Sequence, residues 1–175
     1  MRNSNTDMMT CHVKNKPCLA IVLLFLLFAV FSTRISSQPL KAGPLVQVEQ
    51  IKNAKTLSVK KAHSLSLTGH ITLVDIRSEQ EWFQSGIAPQ ALAISMHQIG
   101  GMDTFTQDLL SVLDGNKDLP VALICASGVR SARLQKHLEQ QGFTHIIDVS
   151  EGMLGSWSSE GWIKQNLPVK KYKKQ

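Results

Sequence analysis

One cysteine, Cys125, lies where an apolar run gives way to a short loop of small and polar residues. The run from Pro120 to Cys125 has the composition of a buried strand, and helical character returns from Val129 onward. A thiolate at such a junction faces the N–H groups of the loop and the positive end of the helix, and both stabilise negative charge on sulfur. We therefore predict that Cys125 is a catalytic nucleophile.

The loop that follows Cys125 supplies groups suited to holding an anion. Gly128 permits the positive φ angle that a loop curling around the sulfur needs. Ser127 and Ser131 offer hydroxyl donors, and Arg130 offers a fixed cation that suits oxyanions. The predicted substrate-binding segment consists of Ala126, Ser127, Gly128, Val129, Arg130 and Ser131. The alternative interpretation is a buried cysteine that ends a strand before an ordinary capped helix.

The other residues whose side chains could act in catalysis or bind a metal do not form a second predicted site. The three cysteines at positions 11, 18 and 125 include no C-x-x-C pair and no Cys/His cluster, which excludes a disulfide scaffold and a structural zinc site. Asp75 and Arg77 are predicted to form a supporting network of hydrogen bonds and an ion pair. The histidines are predicted to be surface or packing residues. Core or rim packing is predicted for Trp82, Trp157 and Trp162.

The surrounding pattern predicts an α/β domain with a central parallel sheet and helices on both faces. Short apolar runs typical of buried parallel strands occupy residues 71–77, 91–95, 120–125 and 145–149. Helices are predicted over residues 78–83, 102–113 and 129–141. Because ligands bind at the carboxyl ends of strands in such sheets, Cys125, Asp75 and Glu151 are expected near one functional edge.

Several separate motifs resemble those of the rhodanese-like family of single-domain sulfurtransferases, over residues 46–168. They are the strand Leu73–Arg77, the helix Glu79–Ser85 with Trp82, the loop Cys125–Ser131 and the closing glycine-to-tryptophan segment Gly142–Trp157. The sequence departs from the family pattern at Gly86–Ala91, which reads G-I-A-P-Q-A where the family has G-H-I-P-G-A. It departs again at Glu151, which replaces the first glycine of a Gly-Gly pair.

The resemblance implies a reaction. A rhodanese-like sulfurtransferase moves a sulfane sulfur from a donor such as thiosulfate to a thiophilic acceptor, cyanide or a thiol, through a persulfide on the cysteine. It implies no metal or organic cofactor. The C-x4-R spacing from Cys125 to Arg130 sets the loop apart from the C-x5-R loop of cysteine phosphatases, which must wrap a phosphate. A non-catalytic sulfur carrier or partner-binding module on the same fold is the alternative.

Charge and hydropathy divide the chain into segments. The net charge is +6, but residues 38–163 carry 10 basic and 12 acidic residues, so no nucleic-acid partner is expected. Residues 18–31 are apolar and follow a basic stretch, which suits a signal peptide, with an uncleaved membrane anchor as the alternative. Both place the domain outside the cytoplasm, with the periplasm as the expected compartment.

These observations predict four segments in a monomer or weak dimer. They are a signal peptide or anchor at 1–37, a linker at 38–45, a rhodanese-like domain at 46–168 and a solvated basic tail at 169–175.

Overall fold

The computed structural model describes residue 51 and residues 53–174, in which strands and helices alternate. The predicted leader or anchor at 1–37 and the linker at 38–45 lie outside the described residues. Within the described part, the elements are β1 (Thr56–Leu57), α1 (Val59–Leu67), β2 (Thr72–Asp75), α2 (Glu79–Ser85), β3 (Leu92–Ala93), α3 (Gly101–Val112), β4 (Val121–Ile124), α4 (Val129–Gln140) and β5 (Ile146–Val149). No helix in this part is long and apolar enough to cross a membrane.

The five strands form one parallel sheet in the order β1-β5-β4-β2-β3. Strand β4 lies at the centre and shows how the sheet is covered. Its residues Ala122 and Ile124 pack in the apolar cluster that includes α1. Leu123 and Cys125 point to the opposite face, where they pack with residues of α3 and α4. The predicted architecture, a parallel sheet with helices on both faces, is confirmed, and both faces are buried because each strand alternates apolar side chains between them.

Helix α2 forms at the predicted position because its first turn satisfies its own backbone. The Ser78 hydroxyl accepts a hydrogen bond from the Glu81 N–H at 3.3 Å, and the Glu81 carboxylate accepts one from the Ser78 N–H at 2.9 Å. This reciprocal pair is a capping box. Gly86, at a φ of 72°, ends the helix as predicted.

The first strand and helix, β1 and α1, were not predicted. Helix α1 begins at the cap Ser58 and buries only Val59, Ala62 and Leu65 among polar neighbours. Its first N–H, at Val59, donates to the carboxylate of Glu151, which lies 92 residues further along the chain, at 2.7 Å. A helix start that is completed by a distant carboxylate leaves little signal in the local sequence.

The lysines of the basic tail are exposed to solvent, as expected, but the tail is also fixed to the domain by specific contacts. Lys170 and Ile87 exchange backbone hydrogen bonds at 2.8 and 3.0 Å. The Tyr172 ring lies 5.1 Å from the Trp82 ring and 5.0 Å from the Phe83 ring, measured between centroids. The tail is held because its aromatic residue covers apolar surface on α2 while its lysine heads remain at the surface.

The two C-terminal tryptophans have opposite environments, which corrects the packing role predicted for Trp157. Trp162 is fully buried, and its indole N–H donates to the Pro168 carbonyl at 2.9 Å. Trp157 is fully exposed. A bridge between Gly155 and Glu160 closes a short loop that carries Trp157 into solvent. The buried tryptophan that closes the domain is therefore Trp162, not the Trp157 that the sequence assigned to the closing motif.

Candidate active site

The sulfur of Cys125 lies at the carboxyl end of β4, within the start of the loop that leads into α4. Its side chain is buried, and the Sγ atom accepts hydrogen bonds from the Gly128 N–H at 3.1 Å and the Ser131 hydroxyl at 3.3 Å. The first donor belongs to the loop and the second to the first turn of α4. Both favour negative charge on the sulfur, as does the N-terminus of the helix.

A second segment of chain, residues 152–154, turns the carbonyl groups of the loop away from the sulfur. The Met153 N–H donates to the Cys125 carbonyl at 2.8 Å, and the Leu154 N–H donates to the Ala126 carbonyl at 2.8 Å. In a trans peptide the C=O and N–H groups point in opposite directions. The N–H groups of Ala126 and Ser127 therefore face away from this segment.

Two glycines allow this close packing of loop against loop. Gly128 has a φ of 86°, in the left-handed region, and a Cβ atom there would overlap the Ser150 carbonyl. A Cβ atom at Gly152 would lie 2.5 Å from the Ala126 carbonyl oxygen. Larger residues at either position would push the two loops apart, so both glycines are needed for the shape of the sulfur site.

The guanidinium of Arg130 is paired with a carboxylate, which corrects the prediction that it offers an unpaired positive charge to an anion. Its guanidinium forms an ion pair with Glu81 of α2, with nitrogen–oxygen distances of 2.5 and 2.9 Å. The hydrogen bond from Arg130 lowers the pKa of Glu81 to about 2, against the opposing effect of burial. Glu81 in turn raises the pKa of Arg130. Glu81 thus caps α2 and also fixes the direction of the active-site arginine.

His97, predicted to be only a surface or packing residue, is part of the same cluster. Its Nε2 atom lies 2.8 Å from a guanidinium nitrogen of Arg130. A surface cavity of about 580 Å³ is lined by His97, Trp82 and the tail residue Tyr172, among others. Ser78 and Glu79, at the start of α2, also line this cavity.

A second opening borders the loop directly. It has a volume of about 630 Å³ and is lined by Ser127, Gly155, Ser156, Trp157 and Lys164. The exposed Trp157 and the ammonium of Lys164 thus lie beside a residue of the predicted binding segment. Sequence reasoning missed both, because the loop that carries Trp157 forms only when Gly155 pairs with Glu160, and Lys164 follows that loop.

Asp75 and Arg77 form the predicted ion pair, and it is fully buried. The guanidinium of Arg77 contacts the Asp75 carboxylate at 2.7–3.1 Å and also donates to the Gly86 carbonyl at 2.7 Å. The pair therefore joins the end of β2 to the end of α2. Glu151 lies at the same edge, as expected, where it accepts from Val59 and Gln165 and serves as a cap for α1.

No group of three or more His, Cys, Asp or Glu side chains in the described part of the chain is arranged to hold a metal ion.

Comparison with known proteins gives consistent matches over this region. The family model described as Rhodanese-like domain matches residues 58–160. A protein named thiosulfate sulfurtransferase 16, chloroplastic, from Arabidopsis thaliana is 32% identical over 127 residues, which cover 70% of this chain and 98% of that protein. A protein named sulfurtransferase from Allochromatium vinosum is 30% identical over 105 residues, which cover 60% of this chain and 83% of that protein. The crystal structure of a rhodanese-like domain protein from Staphylococcus aureus is 30% identical with a TM-score of 0.47, covering 66% of this chain and 98% of that chain.

Proposed function

The chain belongs to the rhodanese-like domain family, and from that membership we propose that it is a sulfurtransferase in which Cys125 carries the transferred sulfur. The observation that carries the proposal is the position of the Cys125 sulfur inside a loop whose carbonyl groups are held outward by residues 153 and 154. The donors that remain on the inner side are N–H groups and the Ser131 hydroxyl. Such a loop suits a reaction in which negative charge stays on sulfur throughout.

The proposed reaction proceeds in two displacements. The Cys125 thiolate attacks the outer sulfur of a donor such as thiosulfate, a new S–S bond forms, and sulfite leaves with the electron pair of the old S–S bond. A thiophilic acceptor, cyanide or a thiol, then attacks the outer sulfur of the persulfide, and the thiolate leaves with its electron pair. Covalent catalysis of this kind divides one difficult transfer into two easier ones.

The loop residues have separate proposed roles in this reaction. The N–H of Gly128, together with the N–H groups of Ala126 and Ser127, stabilises the charge on the thiolate and on the persulfide. Arg130 faces the incoming anionic donor while Glu81 fixes its direction, and its side chain is still 27% exposed. The fixed guanidinium orients the donor more than it attracts it, because the carboxylate already offsets most of its charge.

Sulfur loading and turnover test this function. The full chain is incubated with thiosulfate, and Cys125 is expected to gain the mass of one sulfur atom, which cyanide then removes as thiocyanate. Cys125→Ser should remove both signals while the fold remains intact, and Cys11→Ser is the matched control that should keep them. Loading without turnover would favour the non-catalytic carrier, whereas turnover in Cys125→Ser would refute the assignment of the nucleophile.

We also propose that the protein is exported, from the basic and apolar character of the sequence before residue 38. N-terminal sequencing of the protein from its native host should find about the first 32–37 residues removed and the domain outside the cytoplasm. An intact N-terminus in the membrane fraction would instead support the anchor, and an intact N-terminus in the cytoplasm would refute export.

A further inference from the structure

Asp148 is a buried carboxyl group that the proposed reaction leaves without a role. It interrupts the apolar strand β5 and is only 4% exposed. In the described part of the chain its Oδ1 atom has no hydrogen-bond partner. A buried carboxylate with an unpartnered oxygen is costly, so its presence beside an active site needs an explanation.

The sheet places Asp148 on the same face as the catalytic sulfur. In the parallel register of β4 and β5, Asp148 lies opposite Leu123. Leu123 and Cys125 are two residues apart and pack on the same face, as does Ile146 of β5. Because side chains alternate along a strand, Asp148 and Cys125 are diagonal neighbours on that face.

Helix α4 places one hydroxyl over the space between these two groups. Ser131 and Gln135 lie one turn apart on the helix face that covers β5, and Gln135 donates to the Ile146 carbonyl at 2.7 Å. The Ser131 hydroxyl lies 3.3 Å from the Cys125 sulfur and 3.0 Å from the Gly128 carbonyl oxygen, so its one proton has two acceptors to choose from. Burial raises the pKa of Asp148. Ser131 thus contacts the sulfur directly and lies on the helix face that covers the strand of Asp148.

The charged side chains on the neighbouring elements are directed away from Asp148. Lys55, which precedes β1, bonds to Glu139, and Arg130 of α4 bonds to Glu81. The other arginine and lysine of α4, Arg133 and Lys136, are exposed, and the remaining titratable residues of the helix, His137 and Glu139, lie near its end. Cys125, which follows β4, is the titratable group diagonal to Asp148 on the same face. Without a facing cation, the acid form of Asp148 persists to higher pH than that of an exposed aspartate.

We propose that Asp148 is a positioning residue that controls the ionisation of Cys125 through the single proton of Ser131. In the acid form, the Asp148 O–H donates to the Ser131 oxygen, and the Ser131 proton is then directed to the Cys125 sulfur. When Asp148 ionises, it loses a proton to solvent and becomes the better acceptor, so the Ser131 proton turns from the sulfur to the carboxylate. The inference rests on Cys125 being the reacting atom of the proposed function.

The test measures Cys125 ionisation and does not require sulfur transfer. The rate of alkylation of Cys125 by iodoacetamide in the full chain is followed by peptide mass spectrometry from about pH 4 to about pH 9. Asp148→Asn keeps the size of the side chain and a donor toward Ser131 but cannot ionise. Where Asp148 is ionised in the wild type, this variant should react about tenfold faster, the effect of one hydrogen bond to a charged atom. The difference should shrink as the pH falls through the pKa of Asp148.

Two further variants test whether Asp148 acts through the Ser131 hydroxyl rather than by its charge alone or by a loss of stability. In a Ser131→Ala background most of the effect of Asp148→Asn should disappear, whereas an undiminished effect would show that Asp148 does not act through the hydroxyl and would overturn the proposal. Equal rates for wild type and Asp148→Asn at every pH would also overturn it. Gln135→Leu, which removes a buried hydrogen bond from the same helix face, should lower the melting temperature and leave the pH profile unchanged. A failure of sulfur loading alongside the expected alkylation profile would refute the proposed function and leave this inference standing.

Discussion

Replacing Glu81 by glutamine removes the ion pair with Arg130 but keeps the helix cap, so it tests the two roles of Glu81 separately. A glutamine at this position can still accept from the Ser78 N–H and complete the capping box, but it carries no charge. The pKa of Glu81 falls from 4.5 to about 2 because Arg130 bonds to its carboxylate. A difference of that size corresponds to at most about 3 kcal/mol of folding free energy. Since both partners are partly exposed to solvent, we expect about 1–2 kcal/mol.

The sign of the pH dependence follows from the lowered pKa. The unfolded chain binds a proton at Glu81 near pH 4.5, and the folded protein binds it only near pH 2. The stabilisation is therefore fully present above about pH 4.5 and is lost as the pH falls toward 2. Glu81→Gln should be less stable than the wild type at neutral pH by the amount given above, and the two stabilities should converge as acid is added.

Urea unfolding followed by tryptophan fluorescence measures this difference at a series of pH values. Glu79→Gln is the matched control, because Glu79 lies on the same helix and, within the described residues, forms one ion pair, with the exposed Lys174 at 3.5 Å. It should change the free energy of unfolding by less than about 0.5 kcal/mol. If the stabilities of Glu81→Gln and wild type differ by the same amount at every pH, the ion pair with Arg130 is not the cause and the reasoning fails.

The structure makes two further predictions about stability and activity. Trp162→Ala should lower the free energy of unfolding in urea by about 3–5 kcal/mol, because it empties a buried site. Trp157→Ala should change that free energy by less than about 0.5 kcal/mol. The reverse order would contradict the assignment of the buried tryptophan. Gly128→Ala should reduce sulfur loading of Cys125 at least about tenfold, because the new methyl group displaces the Ser150 carbonyl, while a Gly69→Ala control, whose Cβ atom meets no other atom within 4 Å, should load normally.

The parts of the fold that the sequence predicts are those whose signals are local. Helix α2 has both members of its capping box and its terminating glycine within nine residues, and strand β4 is continuously apolar. Helix α1 has a serine cap at Ser58 but lacks the second member of a capping box, because Lys61 stands at that position and the distant Glu151 completes the first turn. The short strand β1 is defined by pairing with β5, and this also cannot be read from two residues.

The errors at the site have a related cause. Trp157 and Trp162 are five residues apart, and the choice of the buried one depends on the contact of Gly161 with the Gly155 backbone, where no Cβ atom fits. Arg130 meets a carboxylate 49 residues earlier in the chain. The sequence shows that a cation is available near Cys125, but the pairing that offsets its charge exists only after α2 and α4 have packed on the sheet. Asp148 is visible in the sequence as a single acidic residue in an apolar strand. Its proximity to Cys125 follows only from the register of β5 with β4.

The pairing of Arg130 with Glu81 changes which groups must stabilise the sulfur. If the arginine were free, its charge would be the main positive influence on the thiolate, and the exact shape of the loop would matter less. With that charge offset, the stabilisation depends on aligned N–H dipoles and one hydroxyl, whose effect falls steeply when their direction changes. The direction of those dipoles is set by the packing of Gly128 and Gly152 against the neighbouring loop. On the proposed function, the packing of the two glycines is therefore as important to the reactivity of Cys125 as any charged residue in the site, although neither glycine has a side chain that could react.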